Sequence, residues 1–388
     1  MSKSPAIPVA VLLTVIVQGV TAQSWFSAFS YFGRQPDARS EAMGRGNVAL
    51  QGDARSMAYN PAALMDLRGL DLYMHSATKW YIYENAGFSH GALAYRSGER
   101  WAVGVAVDGA SLSSENFTTG DQIEPRRGFI YQTFDGFIAP EHRMMLSLAC
   151  TPVDHLNVGV ALGNVPLNSE DQDVLYGSLG LSHGGELPMK GAFRHAFRAA
   201  ASTQNITFSE ESTTGYRLDL HGQVDSVFRI TDHLPAIFRG GVAYTVKWEG
   251  LRLRDTLSAA AFTMHVQYDD DLTQRSRSAM RVGGELLLCD MLALRAGWYS
   301  EKVDNGGNSY NATELEQFTY GFGLVLPCGP LTRGSVPITI AFDFTNLPQV
   351  SYSADGLGFN GVPWENFQSI GLRINYGLRP LLKSRART

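Results

Sequence analysis

Three things are scarce in this 388-residue chain: cysteine, long apolar runs and net charge. With only three cysteines, a dense disulfide framework is excluded. No stretch approaches the roughly 20 consecutive apolar residues that a membrane-spanning helix needs, so a helical membrane protein is excluded as well. The formal net charge of −5 provides no basic field for nucleic acid, and we expect no nucleic-acid partner.

The first 22 residues have the layout of a secretory signal peptide. Lys3 precedes an apolar run from residue 6 to residue 17, and small residues follow at Val20 and Ala22. Cleavage after Ala22 is predicted, and it removes one cation, so the 32 Lys and Arg fall to 31 against 37 Asp and Glu. The mature protein is therefore expected outside the cytoplasm.

Glycine and aromatic residues are abundant, with 40 Gly, 20 Phe and 16 Tyr, and they recur in short alternating segments. From Trp101 to Asp108, one Trp and three Val share one face, while Ala, Gly, Ala and Asp share the other. The segments 156–163, 318–326 and 369–378 alternate in the same way. A period of two repeated this often predicts an all-β protein.

The two faces of these predicted strands favour a closed transmembrane barrel over a secreted sandwich. One face is bulky and aliphatic or aromatic, which suits hydrocarbon, and the other is small or charged, which suits an enclosed wet interior. A sandwich, the alternative, is expected to carry Lys, Glu and Thr on its outward face. The residues predicted to line the lumen are Arg96, Asp108, Arg217, Asp219, His221, Arg239, Lys247, Arg281, Glu285, Arg295, Asp343 and Arg373.

About 14 antiparallel strands are predicted, the weakest being the first and the fourth. β-like runs between 175 and 208 are ambiguous and leave 12 or 16 strands open. The predicted strands lie near 70–78, 90–97, 101–110, 129–138, 143–151, 155–163, 216–230, 237–248, 259–268, 278–289, 292–300, 318–327, 336–345 and 367–378.

The predicted connections are of two kinds, short turns and long polar loops. Short periplasmic turns and long outer loops are typical of outer-membrane barrels, so the bacterial outer membrane is the predicted location. The short turns are expected at 97–100, 151–155, 231–236, 289–291 and 327–335, and the long loops at 111–127, 164–190, 249–257, 269–277, 301–316 and 346–366.

Residues 23–68 do not alternate, and here the chain resembles a known family. The elements Ala-Met-Gly from Ala42, Val-Ala-Leu from Val48 and Asn-Pro-Ala-Ala-Leu from Asn60 are similar to the N-terminal signature of the FadL-like superfamily of outer-membrane barrels, closest to its PorV/PorQ branch. The resemblance implies that this segment folds into the lumen as a plug or hatch. The motif residues expected in that plug are Ala42, Met43, Gly44, Gly46, Asp53, Asn60 and Pro61.

The residues of this segment are compatible with such a role. Its glycines permit tight turns, and Pro61 suits the first turn of a short helix ending at Leu64. Charged residues that we expect to pair with the lumen are Asp37, Arg39, Glu41, Arg45, Asp53 and Arg55. The predicted organisation is a signal peptide at 1–22, a plug at 23–68, a barrel at 69–378 and a basic tail at 379–388.

The remaining motifs give weaker expectations. Cys150, Cys289 and Cys328 fall on predicted short turns at one rim, and in an oxidising periplasm a disulfide between Cys289 and Cys328 is a hypothesis beside three thiols. The carboxylates at 269–271 are expected in an outer loop, either as a cation site or as a solvated run. No zinc, cofactor or nucleophile motif is present, so no metal site, no cofactor and no enzymatic activity are predicted.

Two functions remain open at this point. In the first, a FadL-like channel takes up a small hydrophobic or amphipathic compound passively, and the N-terminal segment acts as its gate. In the second, the protein is a non-enzymatic barrel resembling PorV or PorQ that holds or delivers secreted and surface proteins in a type IX-like secretion machine. Outer-membrane lipid and lipopolysaccharide are expected partners in both.

Overall fold

The computed structural model describes most of the chain beyond residue 36. The predicted signal peptide and the basic tail at 379–388 lie outside the described residues. The described ranges are 37–78, 87–111, 142–167, 172–187, 192–207, 211–218, 224–232, 236–253, 257–272, 277–304, 312–328, 337–349 and 365–377.

Fourteen antiparallel strands form one closed barrel, which confirms the predicted fold class. Each strand pairs with the next along the chain, except that β7 pairs with β10, and β1 pairs with β16 to close the ring. The described residues contain sixteen strands, of which all but β8 and β9 belong to the barrel. The strands are β1 Gly69–Thr78, β2 Gly87–Ser97, β3 Trp101–Ser111, β4 His142–Val153, β5 Leu156–Leu167, β6 Gln172–Leu187, β7 Phe193–Thr207, β8 Glu211–Leu218, β9 Val224–Asp232, β10 Ile237–Leu253, β11 Leu257–Asp271, β12 Arg277–Leu288, β13 Leu292–Asp304, β14 Ala312–Pro327, β15 Ile338–Gln349 and β16 Glu365–Tyr376.

Within residues 37–68, which the structure describes, three short helices precede the first strand. The α-helix α1 spans Ala38–Ala42, and two 3₁₀ helices follow at Ala54–Ala58 and Pro61–Asp66. Among the described residues, no helix has the length and apolar character needed to cross a membrane.

The period-two pattern has the physical cause predicted from the sequence. On β3, Trp101, Val103 and Val105 are 45–52% exposed, whereas the alternating Ala102 and Ala106 are at most 3% exposed. The same contrast recurs on β4, β13 and β14. Since large apolar side chains line the exposed outer face, the barrel meets hydrocarbon there, as an outer-membrane barrel does.

The predicted strand near 216–230 is wrong, because this region forms β8 and β9, a two-stranded sheet separate from the barrel. A hairpin alternates as a barrel strand does, so its period does not tell which sheet it joins. The predicted strand near 129–138 lies outside the described residues, and β3 pairs directly with β4.

The ambiguous region 175–208 supplies two barrel strands, β6 and β7, which restores the count of 14. The signal was weak because β7 places Ala on both faces, at Ala199 and Ala201 outside and at Ala200 inside. In addition, the pairing of β6 with β7 shifts between Gly177 and Leu179, and consecutive residues from Ser202 to Asn205 are buried. A bulge of this kind breaks the alternation locally.

This misassignment also displaced three predicted connections. Region 164–190 contains β6, so it is not a loop. Region 231–236 leads into β10 beside the end of β7, at the rim that bears the long loops. Region 249–257 joins β10 to β11, and region 269–277 lies at the other end of β11. Because the two ends of one strand lie at opposite rims, region 249–257 lies at the short-turn rim.

We expect a charge on the lipid-facing side to be costly at mid-strand. Val105→Lys should destabilise the barrel by about 2–4 kcal/mol, because Val105 is central on β3 and a cation there meets hydrocarbon. Val153→Lys, beside the turn at 154–155, should cost no more than about 1 kcal/mol because a cation at the interface stays hydrated. Equilibrium urea unfolding in lipid vesicles measures both, and equal losses would contradict the orientation.

Candidate functional site in the barrel interior

Residues 37–67 lie against the inner face of the barrel, on all sides of the ring. The helix α1 contacts β13, β14, β15 and β16, and the second 3₁₀ helix contacts β2 to β6. The first 3₁₀ helix contacts β1 to β4. Of these 31 residues, only Gln51 is exposed, and Arg39 and Asp66 are half-buried.

Local capping explains why this buried segment forms short helical turns. The Asp37 carboxylate accepts from the Ser40 backbone N–H at 2.8 Å and so caps α1. Asp53 and Ser56 form a reciprocal capping box on the first 3₁₀ helix. Asn60 caps the second, which starts with Pro61 and runs to Asp66, two residues beyond the predicted end.

Inward-facing glycines give the segment room against the wall. A Cβ on Gly297 would overlap the backbone of Met43 and Gly44, and one on Gly159 would overlap the backbone of Pro61 and Ala62. Gly44 also has a φ of +71°, which favours glycine. Other inner-face glycines whose Cβ would collide with the segment are Gly104, Gly180, Gly241, Gly283 and Gly321. The sequence predicts a wet surface at these small residues, whereas in the structure they are contact points for polypeptide.

The second half of the segment packs through an apolar cluster. Met57, Tyr59 and Leu64 are at most 4% exposed and lie against strands β1 to β5. The barrel side of this cluster is Tyr73, Ala92, Ala94, Ala102, Ala106, Met145, Ala149 and Ala161. Because small alanines face large side chains, the cluster fills the interior without crowding.

The first half is held largely through its backbone. The Gly44 N–H donates to Thr319 Oγ1 at 2.8 Å, and the same hydroxyl donates to the Ala42 carbonyl at 2.9 Å. His265 Nε2 contacts the Met43 carbonyl at 3.0 Å. Gln267 Oε1 accepts from the N–H groups of Asn47 and Val48 at 2.7 and 2.8 Å.

Arg55 is the centre of a buried ionic network. It pairs with Asp53, with Asp37 at 3.0 Å and with Asp343 of β15 at 3.3 Å. Its guanidinium also lies 4.7 Å from the ring centre of Tyr73. Such a charge is tolerated in the interior only because each partner is itself paired.

The network continues from Asp343 around the wall. Arg295 pairs with Asp343 at 2.7 Å and with Glu285 at 2.6 Å. Arg39 of the segment donates two hydrogen bonds to the Glu285 carboxylate, from Nη2 at 2.8 Å and from Nε at 3.0 Å. Arg373 pairs with Asp71 at 2.7 Å and approaches Asp53 at 3.7 Å. The segment is therefore tied by charge to β12, β15 and β16.

Burial and neighbouring charges shift the pKa values of ionisable side chains in the segment. Burial raises the pKa of the Asp53 carboxyl, but the charges of Arg55 and Arg373 outweigh burial, and the net pKa lies below its usual range. Burial lowers the pKa of Arg39, and the charge of Glu285 more than restores it. These groups are therefore ionised at neutral pH.

Two further charged clusters line the wall away from this network. In one, Asp108 pairs with His90 and Arg143. In the other, Asp269 pairs with Arg281 at 2.6 Å and Arg239 at 3.5 Å. Asp269 therefore belongs to β11 and points inward, so the predicted outer loop at 269–271 is wrong.

Most of the residues predicted to line the lumen do face the interior. Arg96 donates to the carbonyls of Met65 and Leu67, and Lys247 occupies a half-buried position on β10. Arg217 lies on β8, outside the barrel wall, and Asp219 and His221 lie outside the described residues. The remaining seven belong to the clusters above: Asp108, Arg239, Arg281, Glu285, Arg295, Asp343 and Arg373.

The motif residues of the segment take defined places. Ala42 and Met43 are fully buried, and Gly46 lies against His265. Asp53, Asn60 and Pro61 form the helix starts described above. Sequence reasoning missed the neutral partners His265, Gln267 and Thr319, although strand parity marks all three as inward-facing.

The hypothesised disulfide between Cys289 and Cys328 is not formed, and the structure holds these residues as thiols. Leu288 of β12 and Leu324 of β14 both pair with Leu292 of β13, which lies between them. Leu288 and Leu324 are therefore two strand spacings, about 10 Å, apart. Cys289 follows Leu288, and Cys328 lies four residues beyond Leu324. A disulfide requires a Cα separation of about 4.4–6.8 Å.

Among the described residues, no group of three or more His, Cys, Asp or Glu is arranged to hold a metal ion. One cavity opens at the short-turn rim, beside the only exposed residue of the segment. It is lined by Arg39, Gln51, Gly52, Asp66, Arg68, Arg373 and Asn375.

Filling one glycine contact should loosen the segment. Gly297→Ala places a Cβ against the backbone of Gly44, and we expect a loss of about 1–3 kcal/mol and faster proteolysis of residues 37–50. Gly91→Ala is the control, since a Cβ there meets nothing within 4 Å. Urea unfolding and limited proteolysis measure the pair, and equal behaviour of the two variants would contradict the close contact.

Removing the central charge of the network should be more costly than removing an exposed one. Arg55→Gln leaves buried carboxylates without their cation, and we expect a loss of about 3–5 kcal/mol. Arg194→Gln breaks the exposed pair with Glu186 and should cost at most about 1 kcal/mol. Unfolding in detergent micelles compares them, and a small loss for Arg55→Gln would argue against the network.

No protein-family model and no curated protein sequence matches the chain. Among solved structures, it is similar to the CymD monoaromatic hydrocarbon channel, at 12% identity and a TM-score of 0.42, over 90% of this chain and 99% of that one. The toluene transporter TbuX of Ralstonia pickettii matches at 13% identity and a TM-score of 0.38, over 89% and 98%. A Pseudomonas aeruginosa FadL homologue matches at 11% identity and a TM-score of 0.38, over 88% and 98%. Over most of its length the chain is therefore similar to a solved monoaromatic hydrocarbon channel, a solved toluene transporter and a solved FadL homologue.

Proposed function

We propose that this protein is a passive channel of the bacterial outer membrane for small hydrophobic or amphipathic compounds, and that residues 37–67 are its plug and gate. One observation carries the proposal: the interior of a closed barrel holds a segment of its own chain that is covalently continuous with the wall only through β1. Its other attachments are noncovalent. A segment attached in this way is able to leave its position in the barrel interior without unfolding the barrel wall.

The nature of the attachments supports a gate. Many of them are hydrogen bonds and ion pairs, such as Arg39 with Glu285 and Arg55 with Asp343. A net hydrogen bond contributes about 1 kcal/mol, because water replaces the partner when the contact opens. The wall, in contrast, is a continuous ladder of backbone pairs that needs no change. The outer face would contact lipid and, at the long-loop rim, lipopolysaccharide.

The second candidate is a non-enzymatic barrel resembling PorV or PorQ, with secreted or surface proteins as partners. The dense packing of residues 37–67 favours it, since a barrel that keeps its interior filled needs no passage. In that case the long-loop rim, where the β8–β9 sheet follows β7, would present the binding surface.

Uptake is tested in Gram-negative cells, whose lipopolysaccharide slows the entry of hydrophobic compounds. The fluorescent probe N-phenyl-1-naphthylamine should enter cells that make this protein faster than cells that lack it. Arg55→Gln, which weakens the seat of the segment, should raise the rate further. Arg194→Gln, which breaks an exposed pair with Glu186, should leave the rate unchanged.

Equal uptake in cells with and without the protein would contradict the channel. If the same cells instead yield the barrel in stoichiometric complex with a secreted or surface protein, the second candidate is favoured.

A further inference from the structure

The interior segment consists of two halves that are held to the wall by different forces. We define the flap as residues 37–50 and the anchor as residues 53–67. The anchor continues directly into β1 and contacts mainly β1 to β7. The flap contacts the opposite side of the ring through α1 and the residues that follow it.

The anchor is retained by apolar burial. Met57, Leu64 and Leu67 are at most 1% exposed and share a cluster with eight side chains of the wall. Lifting the anchor would return all of this apolar surface to water, and water offers no compensating contact. Ser202 and Gln204 additionally donate to the carbonyls of Tyr59 and Ala58.

The flap is retained mainly by polar contacts. Among the described residues, its apolar cluster includes two residues of the wall, Ala200 and Ala243. Its principal attachments are the hydrogen bonds between its backbone and the side chains of Thr319, His265 and Gln267, together with the ion pair of Arg39 with Glu285. When the flap leaves, water can satisfy every one of these groups, so the release of the flap costs far less than that of the anchor.

The junction between the halves has the features of a hinge. Gln51 is the exposed residue of the segment, and the cavity at the short-turn rim opens beside it. On the anchor side, Gly52 N–H donates to Asp66 Oδ2 at 2.7 Å, and Asp66 also pairs with Arg198 of β7. The chain is thus fixed immediately after the junction.

Polar contacts join the halves across the interior. Arg55 of the anchor pairs with Asp37 at 3.0 Å, and Asn60 donates to the Val48 carbonyl at 2.8 Å. Both are polar and exchange with water on opening. After release of the flap, Arg55 keeps Asp53 and Asp343 as partners, so the anchor does not lose its charge balance.

We propose that the flap swings about Gln51 while the anchor stays seated, which opens a one-sided wet passage along β11 to β15. The passage would be lined by Gln267, Glu285, Arg295, Thr319 and Asp343. These groups offer donors, acceptors and both charges, so the passage suits amphipathic compounds whose polar group stays hydrated, rather than pure hydrocarbons. This inference rests on the proposed channel function and specifies its route and its substrate class.

Two matched disulfide locks test the flap, in a chain whose three native cysteines are replaced by serine. Val48→Cys with Gly241→Cys ties the flap to β10, since Val48 Cγ1 lies 2.8 Å from the Cβ position of Gly241. Met57→Cys with Gly104→Cys ties the anchor to β3, since Met57 Sδ lies 2.5 Å from the Cβ position of Gly104. Each lock replaces one inner-face glycine and one apolar side chain of the segment.

The readout is potassium chloride conductance in planar lipid bilayers, and heat-modifiable gel migration confirms that both variants are folded. We expect the oxidised flap lock to lose the conducting openings and dithiothreitol to restore them, while the oxidised anchor lock conducts as its reduced form does. Loss of openings in both locks would overturn the hinged flap and leave a gate that moves as a whole. Unchanged openings in both locks, or no openings in either reduced form, would overturn the gate itself.

Discussion

The structure depends on the need to fill a wide barrel. Small barrels fill their interior with their own side chains, and barrels of 16 or more strands keep an aqueous channel. A barrel of 14 strands with Gly and Ala on its inner face leaves space that must hold either water or polypeptide. Here residues 37–67 occupy that space, and the inner face fits their backbone closely enough that several inner-face glycines tolerate no Cβ.

This filling explains why charge is abundant where a soluble protein would place apolar core. Arg55 and Arg39 of the segment pair with Asp343 and Glu285 of the wall, and Arg373 of the wall approaches Asp53 of the segment, so the segment and the wall neutralise one another. Removing such charges from water is costly unless every partner is in place. The ionic network therefore specifies one seating of the segment, and the apolar cluster around Met57 and Leu64 supplies much of the adhesion.

The alternation of side chains along each strand made much of the fold and of the barrel interior predictable. Over long runs, a barrel wall places every second residue toward lipid and the residues between them toward the interior. The alternation predicted the fold class and the inward position of residues such as Asp108 and Glu285, whereas the predicted count of 14 included the region 216–230 and omitted β6 and β7. It did not distinguish the β8–β9 sheet from a barrel strand, since both alternate. It also failed on β7, where alanines on both faces remove the contrast.

The glycines show the limit of reading residues singly. A small inward residue is compatible with water or with close-packed chain, and only the three-dimensional position of Met43 beside Gly283 and Gly297 decides between them. The contacts of Thr319, His265 and Gln267 with the segment were likewise not predictable, because these side chains bind backbone and need no complementary residue in the sequence.

Cysteine labelling of the folded protein tests the filled interior most directly. In a chain without native cysteines, single cysteines at Ala42, Gln51 and Ala62 are exposed to a membrane-impermeant maleimide. The account predicts rapid labelling at position 51 and protection at positions 42 and 62 until the protein is unfolded, because only Gln51 is exposed among residues 37–67. Equal labelling at all three positions in the folded barrel would contradict it.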